Sequence, residues 1–280
     1  MRLSVCSIIT VKTQPFEFNH YFSSQLRDLE QIDERGINLR VHGYLKKERA
    51  PVVFLDSSGV LTIASKFFSL CPSWSRQWPF PFETYNARLT RPIKRSLLRD
   101  EAGLFHEVAQ EREQPVQTEQ LIYSVPSFRD AFKSGQTCLV PISAALESCY
   151  FGLSAGHIVR FSVLKESLFF ALGLWNDWVD PMSGEIFPTF TLLTDEPDDF
   201  VKSHGHDRSI VVIDANNWEH WLRSSKLSMH QRFEWIRQKR IQPRWNVEVE
   251  RALKSGWQKK APTAEEIRQI KTWQPTLRKA

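Results

Sequence analysis

At 280 residues the chain has room for one large domain or two small ones. Its 41% hydrophobic and 25% charged residues exclude large-scale disorder, and no apolar run approaches the roughly 20 residues that span a bilayer. Lysine plus arginine number 37 against 32 acids, a net charge of +5 that permits a nucleic-acid partner without demanding one. Cys6, Cys71, Cys138 and Cys149 show no CxxC spacing, which argues against a zinc ribbon or a redox dithiol and fits a reduced compartment. Residues 1–10 lack the pattern of a signal peptide. The expectation is a cytoplasmic protein with no membrane partner.

In chain order, residues 6–12 are rich in β-branched side chains and predict a strand. Residues 18–34 have helical spacing, with Phe22, Leu26 and Leu29 on one face. Strands are expected at 52–55 and 61–68. The proline- and aromatic-rich stretch 71–85 excludes a long helix or a central strand and reads as an ordered loop. Residues 91–124 are polar and charged, an insertion with one helical stretch around 97–109. A short helix is expected at 128–133. Strands are expected at 137–141, 158–163, 168–174, 189–194 and 209–213, and a helix at 218–222 after the cap-like Asp214. Strands in succession with few long helices predict an α+β fold on a mixed or antiparallel sheet. From Lys226 onward basic residues outnumber acids, and Trp235, Trp245, Trp257 and Trp273 are spread among them. Two readings stay open for this tail: helices packed on the domain with solvated basic faces, or an appendage that contacts single strands. The domain division is thus 1–225, with the 91–124 insertion, and a basic extension over 226–280.

Three segments carry candidate chemistry. The first is Tyr85-Asn86-Ala87-Arg88. The second runs from Ser127-Phe128-Arg129-Asp130-Ala131-Phe132 through Cys138-Leu139-Val140-Pro141 to Glu147. The third runs from Thr194-Asp195-Glu196-Pro197 to Gly205-His206-Asp207-Arg208. Taken singly, each is weak: a lone His is more often structural, and a Glu beside a strand is more often solvated. In this order, and with Pro72-Ser73-Trp74 ahead of them, they resemble the SRAP family, the SOS-response-associated peptidase-like proteins that process abasic DNA sites. The resemblance covers roughly residues 5–225.

The resemblance implies a mainly antiparallel, barrel-like α+β core with peripheral helices, here followed by the basic helical extension. It implies a partner, single-stranded DNA containing abasic sites, and a monomer associated with the nucleoid through that DNA. It calls for no cofactor and no metal. Family members begin Met-Cys, and removal of Met leaves a 1,2-aminothiol. The α-amine, with a pKa of roughly 7.7–8.0, and the thiol both attack the aldehyde of the opened sugar and close a thiazolidine. By resemblance, Cys6 is the nucleophile and His206 the acid that opens the sugar ring, a task suited to a side-chain type that titrates near neutrality. Glu147 shuttles protons during imine formation, and Asn86 hydrogen-bonds the N-terminal residue or the sugar. Arg88 and Arg208 contact phosphates. Trp74 stacks at the gap left by the missing base, and Thr194 adds a hydrogen bond. AP-lyase and autoproteolytic activities belong to the same expectation.

The sequence departs from the family in places. It begins Met1-Arg2-Leu3-Ser4-Val5-Cys6, and Arg2 is too large for ordinary Met removal. Two routes would free the Cys6 amine: translation from Val5, which a GUG start codon can encode, or self-cleavage of residues 1–5. With neither, Cys6 is a strand cysteine and the chain a non-covalent single-strand binder. The family's Gly-Phe-Tyr-Glu-Trp is Ala144-Ala145-Leu146-Glu147-Ser148 here, and the proline that often follows the HDR segment is Ile210. A cysteine peptidase pairing Cys6 with His206 lacks an identifiable oxyanion hole. A metal hydrolase using His204 and His206 lacks further ligands.

Overall fold

Strand and helix alternate unevenly along the chain, and a computed structural model describes residues 8–11, 22, 37–40, 49–92, 98–99, 105–106 and 119–274. The first strands are β1 (Ile8–Val11), β2 (Ile37–Arg40), β3 (Arg49–Leu55), β4 (Leu61–Phe68), β5 (Asn86–Arg88) and β6 (Thr90–Pro92). The short β7 (Leu98–Arg99), β8 (Phe105–His106) and β9 (Glu119–Leu121) precede helix α1 (Pro126–Ser134). Then come β10 (Thr137–Ile142), β11 (Ala144–Cys149), β12 (His157–Val163), β13 (Phe169–Val179) and β14 (Ile186–Asp195). Helix α2 (Asp199–His204), β15 (Ser209–Ile210), α3 (Trp218–Leu222), α4 (Met229–Lys239), β16 (Trp245–Ala252) and α5 (Ala264–Gln269) complete the order.

β13, β10, β3, β4 and β14 hydrogen-bond in that order, and a β13–β14 ladder closes them into a ring. All of these pairings are antiparallel except β4–β14. Side chains alternate between the two faces of a strand. One alternate set, including Val52, Phe54, Cys138, Val140, Ala171 and Phe190, forms one buried cluster. The other set, including Val53, Ile63, Leu139, Leu172 and Leu193, packs with Phe128 and Phe132 of α1, Trp218 and Trp221 of α3, and Phe233 and Ile236 of α4. A five-strand ring has no room for helices, so the helices cover its outside and the first cluster fills it. A second sheet runs β16-β12-β11-β1-β2. Its Ile9 and Ala145 join the cluster that fills the ring.

Local chemistry explains the element ends. Asp56 accepts hydrogen bonds from the Ser58 and Val60 amides and closes the turn between β3 and β4. Pro126 opens α1 and a left-handed Gly135 closes it. Asp214 accepts from the Asn216 amide and starts a 3-10 turn that leads into α3.

The strands expected at 52–55, 61–68 and 158–163 and the helix at 218–222 fall on β3, β4, β12 and α3. The stretch 71–85 carries no helix or strand. The helix expected at 18–34 lies outside the described residues except for Phe22, which is helical. The helical stretch expected around 97–109 is corrected: its described residues form the antiparallel β7–β8 pair. Among the elements not foreseen are β11, which carries Glu147, the short helix α2 before His206, and β16, an eight-residue strand in the tail that pairs along β12.

The tail is tied to the ring by a buried charge. Arg232 of α4 is fully buried, and its guanidinium donates to the carbonyls of Phe132, Ser224 and Leu227 and to the Ser224 hydroxyl. Burial lowers its pKa to about 10, still charged at neutral pH. One planar fork thus joins α4 to the end of α1 and to the turn after α3. Arg232→Met leaves these carbonyls without donors and is expected to destabilise the protein by about 3 kcal/mol, and Arg232→Lys to recover less than half, since an ammonium cannot span the same acceptors. Urea unfolding of the three proteins measures both values.

Candidate functional site

The three sequence segments meet where the two sheets adjoin. Asn86 opens β5, which lies parallel to β14 with Asn86 opposite Leu192 and Arg88 opposite Thr194. Thr194 is also opposite Ile210 of β15. Glu147 stands on β11 between β1 and β12, next to Leu146, whose partner across the ladder is Ile8. His206 follows α2 through Gly205, a left-handed residue at φ 103°.

The approach of His206 to Glu147 is built by backbone. Asp198 caps α2 by accepting from the Val201 amide, and it also accepts from the Trp245 indole at 2.9 Å. Gly205 then packs against Phe151, just beyond β11, so closely that a Cβ on Gly205 would lie 1.7 Å from the Phe151 carbonyl oxygen. The Tyr150 amide donates to the Gly205 carbonyl. These contacts bring His206 Nε2 to 3.2 Å from Glu147 Oε2, with only 2% and 7% of the two side chains exposed. The distance is that of an ion pair, but the angles are not those of an aligned hydrogen bond.

Beside this pair lie two guanidinium groups. Burial, and then the neighbouring Arg208 charge, lower the pKa of Arg88, while Asp207, Asp195 and Glu196 act in the opposite direction. Arg208 Nε is 3.4 Å from Asp207 Oδ1. Arg88 Nε is buried with no hydrogen-bond partner among the described residues, and so are the hydroxyls of Thr194 and Ser209. The two like charges repel, and the carboxylates of Asp207, Asp195 and Glu196 offset part of that repulsion. A cleft of about 230 Å³, counting the part open to solvent, is lined by Glu147, Arg208, Ser209, Ile210, Phe161 and Trp245 among others.

Of the residues singled out in the sequence, Glu147 and Arg208 line the cleft, His206 meets Glu147, and Asn86, Arg88 and Thr194 lie on the β5–β14–β15 ladder whose Ile210 also lines it. Cys6 lies outside the described residues. Trp74 is half-exposed, donates to the Pro126 carbonyl and packs edge-on against Phe80. On the other side of Phe80 is Phe82, 67% exposed, which sequence reasoning left inside an anonymous loop. Its signal was the density of aromatics between prolines. Trp245 was noticed only as one tail tryptophan among several, yet it forms a wall of the cleft. The tail's aromatic and basic residues divide. Arg232, Arg240 and Trp273 are buried, whereas Arg237, Arg251, Lys259 and Lys260 are exposed. In the segment 127–132, Phe128, Ala131 and Phe132 are core, and Arg129 pairs with Asp130 at the surface.

Among the described residues, no three His, Cys, Asp or Glu gather as metal ligands, and no helix is long and apolar enough to cross a membrane. The three described cysteines are buried. Burial pushes the Cys71 thiol up to about 12 and, with the Glu147 charge added, the Cys149 thiol up to about 12. Burial raises Cys138 as well.

Residues 105–250 match the family model described as SOS response associated peptidase (SRAP). A crystal structure of a Bacteroides thetaiotaomicron protein is similar at 18% identity and a TM-score of 0.59, over 94% of this chain and 99% of that one. A Bordetella bronchiseptica protein is similar at 16% identity and a TM-score of 0.58, over 87% and 99%. A phage-related protein from the same organism is similar at 12% identity and a TM-score of 0.52, over 87% and 93%. At these identities the structures establish a shared fold. A comparison with curated protein sequences returns no match.

Thiolate is the reactive form of cysteine, so the raised thiols should be inert. Iodoacetamide at pH 8 is expected to leave Cys71, Cys138 and Cys149 unmodified in the native protein and to alkylate all three in urea, as read by peptide mass. Gly205→Ala is expected to cost at least about 2 kcal/mol, from its left-handed φ and the Phe151 clash. Gly184→Ala, also left-handed but with open space around it, should cost about 1 kcal/mol. The difference between the two unfolding free energies isolates the contact that places His206.

Proposed function

Since the chain belongs to the SOS response associated peptidase family, we propose that it captures abasic sites in single-stranded DNA as a covalent adduct on Cys6. Family membership supports a role in abasic-site processing within the SOS response. The observation that carries the finer reading is the buried Glu147–His206 contact beside the Arg88–Arg208 pair. An abasic sugar is a hemiacetal in equilibrium with an aldehyde. His206 gives a proton to the ring oxygen as its bond to C1 breaks, and Glu147, 3.2 Å away, takes the proton that the C1 hydroxyl releases as the aldehyde forms and passes it back to His206. The Cys6 amine adds to the aldehyde carbon, water leaves, and the thiol adds to the resulting imine to close the thiazolidine. Glu147 and His206 carry the protons that the amine loses and the departing water gains.

The two guanidinia suit a phosphate on each side of the lesion. Trp74 and Phe82 present exposed aromatic faces to neighbouring bases. Supporting the role of Cys6 is covalent reach: only Ser7 separates it from Ile8, a span of at most about 7 Å, and Ile8 lies opposite Leu146, the neighbour of Glu147. Asn86 and Thr194 complete the polar rim as hydrogen-bonding groups. The reading has the protein acting as a monomer on DNA, with lyase or self-cleaving chemistry as side activities of the same groups.

A protein whose first residue is Cys6 is expected to form an adduct with an abasic oligonucleotide that survives a denaturing gel. The protein with verified residues 1–5 attached should form none, because its Cys6 nitrogen is an amide. Cys6→Ala in the short protein should give only a borohydride-trappable imine. His206→Ala should slow capture about 100-fold with single-strand affinity unchanged, and Glu147→Gln should slow it to a similar order. A stable adduct from the chain with Met1 intact, or from short Cys6→Ala, overturns the mechanism. Tight single-strand binding without any adduct from the short protein would establish a non-covalent binder instead.

A further inference from the structure

Around Arg88 the charges do not balance by themselves. Its electrostatic neighbours are Arg208 on one side of the ledger and Asp207, Asp195 and Glu196 on the other, so two guanidinia face three carboxylates. Asp207 is engaged by Arg208. Asp195 follows Thr194, the ladder partner of Arg88, and its side chain is almost wholly buried. A buried carboxylate this near a cation normally takes it as a partner, and a neutralised Arg88 would have little attraction left for phosphate.

The tail supplies the missing cation. Arg240, the residue that ends α4, is buried beneath Trp273, with its guanidinium carbon 4.5 Å from the ring centroid. Its Nη1 lies 3.2 Å from Asp195 Oδ2, and its Nη2 donates to the Glu196 carbonyl at 2.7 Å. The other Asp195 oxygen accepts from the Thr90 hydroxyl at 3.3 Å. The arrangement is clamped from outside, because the Trp273 amide donates to the Pro197 carbonyl and the Lys202 ammonium to the Ile270 carbonyl. Lys271 is occupied with Glu119 at 2.6 Å. Both Asp195 oxygens are thus taken, while Arg88 Nε remains without a partner.

We propose that Arg240 is a positioning residue of the anion site: by pairing with Asp195 it keeps that carboxylate from engaging Arg88, whose guanidinium is left for a DNA phosphate. The role deepens the single-strand reading and rests on it for its consequence, though not for the charge assignment. It also gives the segment from Arg240 to Trp273 a function in binding without any contact to DNA. Removing the Arg240 charge leaves Asp195 uncompensated, and the potential at Arg88 falls by about one phosphate contact.

The test uses the full chain and a fluorescent poly-thymidine oligonucleotide. Arg240→Met should weaken binding about fivefold at 0.1 M salt and reduce the slope of log affinity against log salt by about 0.7, the effect of one lost phosphate contact on a single strand. Adding Asp195→Asn should restore both, although the packing of Arg240 is still lost; damage to structure alone would not be repaired this way. Asp195→Asn by itself keeps Arg240 and should bind at least as tightly as wild type, which keeps the idea testable if Arg240→Met fails to fold. Weaker binding by Asp195→Asn, or no rescue in the double variant, overturns the proposal. A second arm needs no DNA. The urea-midpoint coupling between Arg88→Ala and Asp195→Asn should be small in the wild-type background and grow in Arg240→Met. Equal coupling in both backgrounds overturns the charge assignment. If wild type binds no single strand, the DNA reading fails, and this coupling alone decides whether Arg240 shields Arg88.

Discussion

Gly205 has no side chain, and the fold leaves space for none. Its backbone is pressed onto Phe151 at the end of β11, and that contact fixes how far the turn after α2 can stand from the strand that carries Glu147. His206 follows directly. The same approach lets the Tyr150 amide reach the Gly205 carbonyl, so the loop after β11 and the turn after α2 satisfy each other's backbone groups. An imidazole and a carboxylate can then meet away from water without either element bending. The cleft beside them exists because β16 adds Trp245 as a wall and because Trp245, through Asp198, holds the start of α2.

Buried charge is handled in two ways in this molecule. Where it serves stability it is paired, although Arg240 Nε, like Arg88 Nε, has no partner among the described residues. The Arg232 fork meets carbonyl oxygens, the Lys66 ammonium meets Asp177 at 2.6 Å between the rings of Phe54 and Trp175, and Arg240 meets Asp195. Each of these groups would otherwise carry a desolvation cost of several kcal/mol. At the site the Arg208 charge acts against that of Arg88, and a guanidinium nitrogen and two hydroxyls are buried without partners among the described residues. Such groups are costly to the fold, and their clustering here beside the Glu147–His206 contact is the observation on which the proposed ligand site rests.

Much of the architecture was legible because it depends on short-range rules. β3 is a continuous apolar run from Ala50 to Leu55, and β4 is rich in β-branched and aromatic residues, on either side of a turn closed by Asp56, so their limits follow from composition and turn chemistry. The loop 71–85 follows from its prolines. What failed did so for local reasons too. β11 is Ala-Ala-Leu-Glu-Ser-Cys, poor in β-branched residues, and becomes a strand only because β1 and β12 flank it. β16 alternates Val with Glu and reads as solvated; it is an edge strand whose pairing with β12 outweighs that pattern. Residues 98–99 and 105–106 pair as strands where periodicity favoured a helix.

The order of the segments around Asn86, Glu147 and His206 was in the sequence, and with it the family resemblance and the chemical types available. So were the unreactive spacing of the cysteines and the basic character of the tail. Tertiary structure alone decided which of those groups meet. It set Glu147 3.2 Å from His206, brought the charge of Arg208 to bear on Arg88, and divided the tail's described arginines into the buried Arg232 and Arg240 and the exposed Arg237, Arg244, Arg251 and Arg268. The physical reason is range. Periodicity, caps and turns act over a few residues, whereas the state of a charge depends on every group within several ångströms, and those groups come together only when distant strands pair.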